Sequence, residues 1–155
     1  MRTRTAPSPF AVAAIVVTLV AVTAWAPVAL ACSCMAPGPP AEERESADAV
    51  FCGEVVAAEP TQRQTDYGNL QQVRVEIALG SVWKGVPEGE TVELWTGSGG
   101  GDCGYHFEVG EDYLVYAYEG DDGSLSTGIC SRTRPLADAE TDLAALGAPE
   151  RKVEP

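Results

Sequence analysis

Alternation of apolar and polar positions through the middle of the chain predicts a series of β-strands. Residues 73–79, VRVEIAL, alternate strictly, as a half-buried strand does, and the pattern continues through Trp83 after a kink at Gly80. Residues 113–118, YLVYAY, form the strongest strand signal. The other strands are predicted at residues 50–56, 91–95 and 124–130. Short strands separated by glycine-rich corners indicate a mainly β domain, a small five-stranded Greek-key barrel.

Two short helices and a polar loop complete this prediction. Residues 41–49, AEERESADA, favour a short helix near the start of the domain, and the polar residues 61–69 predict the loop of a hairpin. Residues 135–146, PLADAETDLAAL, predict a closing helix, with Thr133 as its N-cap, acidic residues early and Gly147 at its end.

The first 31 residues have the composition of a secretory signal peptide. Arg2 and Arg4 precede an apolar run over residues 10–22, and Ala29 and Ala31 provide a small-residue cleavage site. The apolar run is shorter than the roughly 20 residues that a retained membrane helix needs. We therefore expect cleavage after Ala31, export of the remaining chain, and no stable membrane insertion.

Cys32, the residue directly after this site, also fits a bacterial lipoprotein. Lipoprotein signals carry Leu or a similar residue three positions before the cysteine, where this chain has Ala29. Lipidation would acylate the amine of Cys32 and alkylate its sulfur. We expect the secreted form with a free amine, and the form lipid-anchored to the cell envelope at Cys32 is the alternative.

Length and charge limit what the exported chain can be. Cleavage leaves 124 of the 155 residues, which we divide into one domain over 32–147 and a disordered tail over 148–155. The net charge of −13 becomes −15 once the two arginines of the signal are removed. Such acidity opposes binding to nucleic acid or to anionic membranes. We expect a monomer.

Five cysteines lie in the exported part, where oxidation is expected. They are Cys32, Cys34, Cys52, Cys103 and Cys130. Two disulfides and one free thiol is the natural count, and the sequence alone leaves 15 such arrangements open. Bridges that close loops of roughly 70 to 100 residues stabilise a domain by about 4 kcal/mol each in the chain-entropy model. No spacing resembles a zinc ribbon or a redox Cys-x-x-Cys motif.

The sequence carries no recognisable catalytic motif. It lacks a zinc-protease helix motif, a nucleophile elbow and a phosphate-binding loop. The glycine-rich residues 97–101 are interpreted as a plain linker, His106 as an ordinary turn or surface residue, and Asp121 and Asp122 as solvated loop acids. We therefore expect no enzyme activity, no catalytic residue and no cofactor.

Several motifs resemble, in order and spacing, the N-terminal inhibitory domain of the tissue inhibitors of metalloproteinases. They are Cys32-Ser33-Cys34, residues 49–56 (AVFCGEVV), Trp83-Lys84-Gly85, Cys103-Gly104-Tyr105 and Ile129-Cys130. The resemblance, to a bacterial-type single-domain member, implies an OB-type fold, also called netrin-like. It also implies disulfides Cys32–Cys103 and Cys34–Cys130, which leave Cys52 as a free buried thiol.

The resemblance further implies a secreted inhibitor of zinc metalloproteases of the metzincin kind. In an extended arm Cys32 and Cys34 point the same way, so Ser33 projects outward. The amine and carbonyl of Cys32 would chelate the zinc of the target protease, and Ser33 would enter the adjacent specificity pocket. The contact surface is completed by Met35, Ala36, Asp102 and Cys103. The alternative is an extracellular or lipid-anchored netrin-like interaction module that inhibits no protease.

Overall fold

The computed structural model describes residues 32–65, 68–86, 88–99 and 101–153. The strands are β1 (Ala49–Thr65), β2 (Gly68–Lys84), β3 (Thr91–Gly97), β4 (Asp112–Glu119), β5 (Leu125–Ser126), β6 (Arg134–Pro135) and β7 (Arg151–Lys152). Helix α1 spans Pro40–Ser46, and helix α2 spans Glu140–Leu146 after a short 3-10 turn at Leu136–Asp138. The predicted mainly β class with two helices and disulfides is confirmed. The sequence predicts five strands, whereas the described residues contain seven. Four of these are long and three have two residues each.

The strands pair in a ring. β1 pairs with β2, β2 with β3, and β3 with the short β5 in parallel. β5 then pairs with β4, and β4 returns to β1 in an antiparallel ladder from Glu54↔Asp112 to Ala49↔Ala117. One continuous path of hydrogen bonds therefore links the four long strands.

Side chains that alternate along the strands divide the core into two clusters. On β4, Val115 faces one cluster while Leu114 and Tyr116 face the other. The first cluster lies on one face of the sheet and includes Phe51, Val55, Ile77, Leu94 and Phe107. The second packs the opposite face against α2 through Val50, Trp83, Ala139 and Leu146. This two-residue period is the physical reason that the alternating segments could be predicted as strands from the sequence.

The predicted polar loop over 61–69 is wrong for most of its length, because the β1–β2 ladder continues to the pair Thr65↔Gly68. A two-stranded ribbon needs no apolar face, so polar side chains do not end it. Arg63 braces this ribbon: its guanidinium lies 4.5 Å from the Trp95 ring centre and pairs with Asp122 in the turn after β4. Hydrogen bonds from Ser124 and Arg63 hold the pKa of Asp122 at about 2. Asp122 is thus a structural partner rather than a free loop acid.

The Trp83-Lys84-Gly85 motif joins the sheet to both helices. The Trp83 indole donates to the Gly147 carbonyl at the end of α2, at 2.8 Å. The Lys84 ammonium donates to the carbonyls of Arg44 and Glu45 at 3.1 and 2.9 Å, where α1 ends. Gly85 has φ of 67°, and a Cβ there would lie 1.7 Å from a backbone oxygen. Each residue of the motif therefore has a structural role of its own.

A register shift accompanies the predicted kink at Gly80. Cys52 pairs with Ser81, but the next residue pairs with Leu79, so Gly80 is an extra residue in β2. Beyond the bulge β2 still pairs with β3 from Gln72 to Ala78, so only residues 62–65 and 68–71 continue as a two-stranded ribbon outside the ring.

The single closing helix predicted over 135–146 is wrong in its first half. Residues 136–138 form a 3-10 turn, and α2 begins only at Glu140. Thr133 is no N-cap, because its buried hydroxyl accepts a hydrogen bond from the Tyr116 amide at 3.1 Å. Pairing of Pro135 with Tyr113 keeps the chain extended before the turn. None of the helices in the described residues has the length and hydropathy of a membrane span.

The expectation of a disordered tail over 148–155 differs from the structure. Arg151–Lys152 pair with β2 beside the bulge, and the Val153 amide donates to the Gly80 carbonyl at 2.9 Å. Here β2 extends beyond the end of β3, so its edge is open to a further strand. Residues 154 and 155 lie outside the described residues.

A buried carboxylate ties α2 to the sheet. Asp142 is fully buried and accepts from Arg132 Nε at 2.6 Å and Nη2 at 3.0 Å. Arg134 lies 3.4 Å away, and the Tyr116 hydroxyl donates at 3.2 Å. Burial by itself raises the pKa of the Asp142 carboxyl, but hydrogen bonding to Arg132 and the charges of Arg134 and Arg132 hold it below its ordinary value.

We predict that Asp142→Asn lowers the free energy of unfolding by about 3 kcal/mol at pH 7, because it leaves Arg132 and Arg134 unpaired. The folded-state pKa of Asp142 is depressed, so its stabilisation is present above pH 4 and is lost as the pH falls further. Urea unfolding from pH 7 to pH 2 measures both effects. The exposed Asp121→Asn variant is the control, and equal acid sensitivity of the two variants would contradict the prediction.

Candidate functional site

The segment that carries the predicted site, residues 32–39, runs without regular secondary structure to the start of α1. We call it the N-terminal arm. Disulfides join Cys32 to Cys103 and Cys34 to Cys130, with Cα–Cα distances of 5.6 and 5.1 Å. These are the pairs that the family resemblance implies. Two bridges two residues apart fix both the position and the direction of the arm.

The middle of the arm is open to solvent. Ser33 and Ala36 are exposed, and Met35 is 90% exposed. Among the described residues, no hydrogen bond to the rest of the protein holds residues 33–37. The arm is therefore anchored by its cysteines and its base while its other side chains face outward, which is the arrangement that a contact surface needs.

Cys103 receives the first bridge in an unusual backbone conformation. Its φ of 56° lies in the left-handed region, which costs a non-glycine residue about 1–3 kcal/mol. The Cys103 carbonyl accepts from the Ile129 amide at 2.9 Å. Next to it, a Cβ on Gly104 would lie 2.1 Å from the Gly97 carbonyl oxygen, so only glycine fits. The Cys103-Gly104 pair is thus packed between two other backbone segments.

Asp102 organises the turn that precedes this bridge. Its carboxylate accepts from the backbone amides of Ser98 at 2.7 Å, Gly99 at 2.9 Å and Gly104 at 3.2 Å. Desolvation raises the pKa of this carboxyl, but the three amide donors together hold it below its ordinary value. Ser98 and Gly99, in the segment predicted as a plain linker, are therefore bonded to Asp102.

A network of hydroxyl groups orders the loop over 127–133, which receives the second bridge. The Thr127 hydroxyl lies 2.8 Å from that of Thr133 and 3.0 Å from that of Ser131, and it donates to the Tyr116 carbonyl at 2.9 Å. The Ser131 hydroxyl donates to the Gly128 carbonyl at 2.8 Å. The sequence pattern does not single out these residues, since isolated hydroxyls carry no periodic signal.

The structure brings Cys32, Asp102 and Cys103 together through the first bridge, and Cys34 to Cys130 through the second. Ile129 stands beside the predicted residues: it is 49% exposed, next to Cys130, and bonded to the Cys103 carbonyl. Sequence reasoning included Ile129 only in the Ile129-Cys130 motif and not among the predicted contact residues.

Two residues with potentially reactive side chains lie apart from this arrangement. His106 is exposed beyond the Cys103-Gly104-Tyr105 motif. Cys52 is free and buried in the second core cluster, and burial raises the pKa of its thiol. Within the described ranges, no group of three or more His, Cys, Asp or Glu side chains could hold a metal ion.

Fold and site together define a small β domain whose two disulfides hold an exposed N-terminal arm. The family model described as Tissue inhibitor of metalloproteinase matches residues 30–142, and the chain belongs to this family. Among curated proteins, none matches the chain. Family membership implies a general role in metalloproteinase inhibition, with metalloproteinases as partners. Members of this family are inhibitors rather than enzymes, and they are typically secreted.

Proposed function

We propose that the exported chain, beginning at Cys32, is a secreted inhibitor that blocks the catalytic zinc of metzincin-like proteases. The observation that carries the proposal is the pinning of an exposed arm by bridges at its first and third residues. The family match supports the general activity. An OB-type arrangement of the ring of strands is part of the same proposal.

The chemistry follows from what a catalytic zinc leaves open. Such a zinc has three protein ligands and a water in its remaining position. The α-amine and the carbonyl of Cys32 would displace that water together, as a chelate from one residue. A chelator pinned by its own disulfide loses little conformational freedom on binding, so more of the interaction energy appears as affinity.

The other arm residues supply contact and selectivity. Ser33 is exposed between the two bridged cysteines and would enter the pocket next to the zinc. Met35 and Ala36 would follow the cleft, where the exposed thioether adapts to different surfaces. Asp102 and Cys103 would meet the rim of the cleft, with the Asp102 carboxylate already engaged by its own turn.

The test begins with the exported protein itself. Intact mass and N-terminal sequencing establish whether Cys32 carries a free amine, and a panel of zinc metalloproteases then measures inhibition. Stoichiometric inhibition by a chain that begins at Cys32 supports the proposal. A diacylglyceryl mass on Cys32, or a free amine with no inhibition across the panel, favours the lipid-anchored or secreted interaction module instead.

Inhibition should strengthen as the pH rises. An α-amino group has an ordinary pKa of about 7.7–8.0, and only its neutral form can donate to zinc. Below that pKa the inhibition constant should rise about tenfold for each unit of pH decrease, and above it the constant should level off. The measurement is Ki between pH 6 and 9. A small zinc-binding inhibitor assayed over the same range corrects for the titration of the protease itself. A flat corrected profile would exclude the amine as a ligand.

A further inference from the structure

The base of the N-terminal arm is held by one side chain from the adjacent helix α1 and one from a distant part of the chain. The Gly38 carbonyl accepts from Arg132 Nη1 at 2.7 Å, between residues 94 positions apart. The Gly38 amide donates to Glu43 Oε1, also at 2.7 Å. Both polar groups of one residue are therefore engaged. We call Arg132, Asp142 and Glu43 the Gly38 clamp.

Asp142 fixes the orientation of Arg132 within this clamp. The buried carboxylate accepts hydrogen bonds from Nε and Nη2 of the guanidinium, and Nη1 is then free to donate to the Gly38 carbonyl. The Arg132 side chain is 13% exposed, so little water competes for these bonds. A guanidinium presents its donors in a rigid fork, and an ammonium group could not bond both partners with this geometry.

The clamp and the second disulfide rest on the same short loop. Cys34 is bridged to Cys130, and Gly38 is bonded to Arg132, two residues further along that loop. Between these anchors lies the exposed stretch 35–37, and no hydrogen bond holds it among the described residues. The path of this stretch is therefore set from its two ends.

We infer that Arg132, oriented by Asp142, is a positioning residue for protease binding. It holds Met35 and Ala36 on the path on which they meet the protease, although it does not touch the protease itself. The inference rests on the proposed function and adds to it a group outside the contact surface. If the clamp opens, only a fraction of arm conformations remains competent, and the apparent affinity falls by that fraction.

The test compares two arginines that both face Asp142. Arg132→Lys keeps a positive charge beside Asp142 but loses the bond to Gly38. Arg134→Lys alters the same ion cluster, and Arg134 has no contact with the arm in the described residues. We expect Arg132→Lys to raise Ki about tenfold, mainly through slower association, and to speed exchange of the Gly38 amide about tenfold. Arg134→Lys should change neither by more than twofold, even where it lowers thermal stability.

A second pair of variants keeps the test decisive if Arg132→Lys does not fold. Glu43 lies on α1, partly exposed, and engages Gly38 from the amide side. Glu43→Ala should raise Ki and amide exchange, and Glu43→Gln, which retains an acceptor oxygen, should restore both. Glu42→Ala on the same helix is the control.

The two readouts separate this inference from the proposed function. If the wild-type protein inhibits and the variants bind equally well despite faster exchange, the positioning role is wrong. Unchanged Gly38 exchange in a folded Arg132→Lys variant also overturns it. If the wild-type protein inhibits no protease, the proposed function and the role in binding fail together, while exchange still decides whether the clamp holds the arm.

Discussion

One alanine added before Cys32 of the exported protein should raise the inhibition constant about 1,000-fold. The extension converts the α-amine into an amide nitrogen, which carries no lone pair that can bind zinc. It also places a side chain and a new amine where the protease holds its zinc ligands. Truncating a central contact of a tight interface costs up to about 4–8 kcal/mol, and a 1,000-fold loss corresponds to about 4 kcal/mol.

The measurement needs a control that changes mass but not the chelator. An alanine added after Pro155 serves for this, since that end of the sequence is remote from Cys32 along the chain. Acetylation of the Cys32 amine should reproduce the effect of the N-terminal alanine without lengthening the chain. Thermal unfolding of each form shows that the fold is retained. Equal inhibition by the extended and the native form would exclude zinc chelation by Cys32.

The exposed part of the arm should contribute much less than its first residue. Met35 is 90% exposed and no hydrogen bond holds it among the described residues, so it can adapt to a cleft without ordering the rest of the domain. Selectivity between proteases would therefore depend on Ser33 and Met35, while affinity would depend on the anchored chelator. Anchoring and recognition would thus be divided between alternate residues of one short segment.

The parts of the fold that the sequence predicted are those governed by local periodicity. Residues 73–79 and 113–118 alternate because one face of each strand is buried, and both lie within observed strands. Gly80 indicated the bulge because a glycine inside a strand pattern often marks one. The polar residues 61–65 gave no such signal, because a projecting ribbon is held by its backbone ladder and by Arg63 rather than by an apolar face.

The candidate site also contains residues that could be predicted from the sequence and residues that could not. The cysteines were found because their order resembles that of a known family, and the observed pairs agree with that resemblance. The groups that support them were not found. Thr127 and Thr133 meet across a loop, and Arg132 reaches Gly38 from 94 positions away. Such contacts depend on tertiary structure, and a single sequence carries no pattern for them.

Removing the Cys34–Cys130 bridge should lower the free energy of unfolding by about 4–5 kcal/mol. The bridge spans 96 residues, so in the chain-entropy model its loss frees most of the unfolded chain. Native domains are stable by only about 5–15 kcal/mol, so this loss is a large part of the total. Replacing both cysteines, as Cys34→Ala with Cys130→Ala, avoids leaving a reactive thiol.

Urea unfolding of the double variant measures the loss, and Cys52→Ala is the matched control. Cys52 is free and buried, so its replacement removes one thiol but no cross-link and should cost about 1 kcal/mol. Alkylation of the denatured, unreduced wild-type protein should modify one cysteine. Because Cys32–Cys103 and the Gly38 clamp remain in the double variant, inhibition should weaken about tenfold rather than disappear. If the double variant and Cys52→Ala unfold at the same urea concentration, the bridge does not stabilise the domain. The rigidity of the arm would then have another cause.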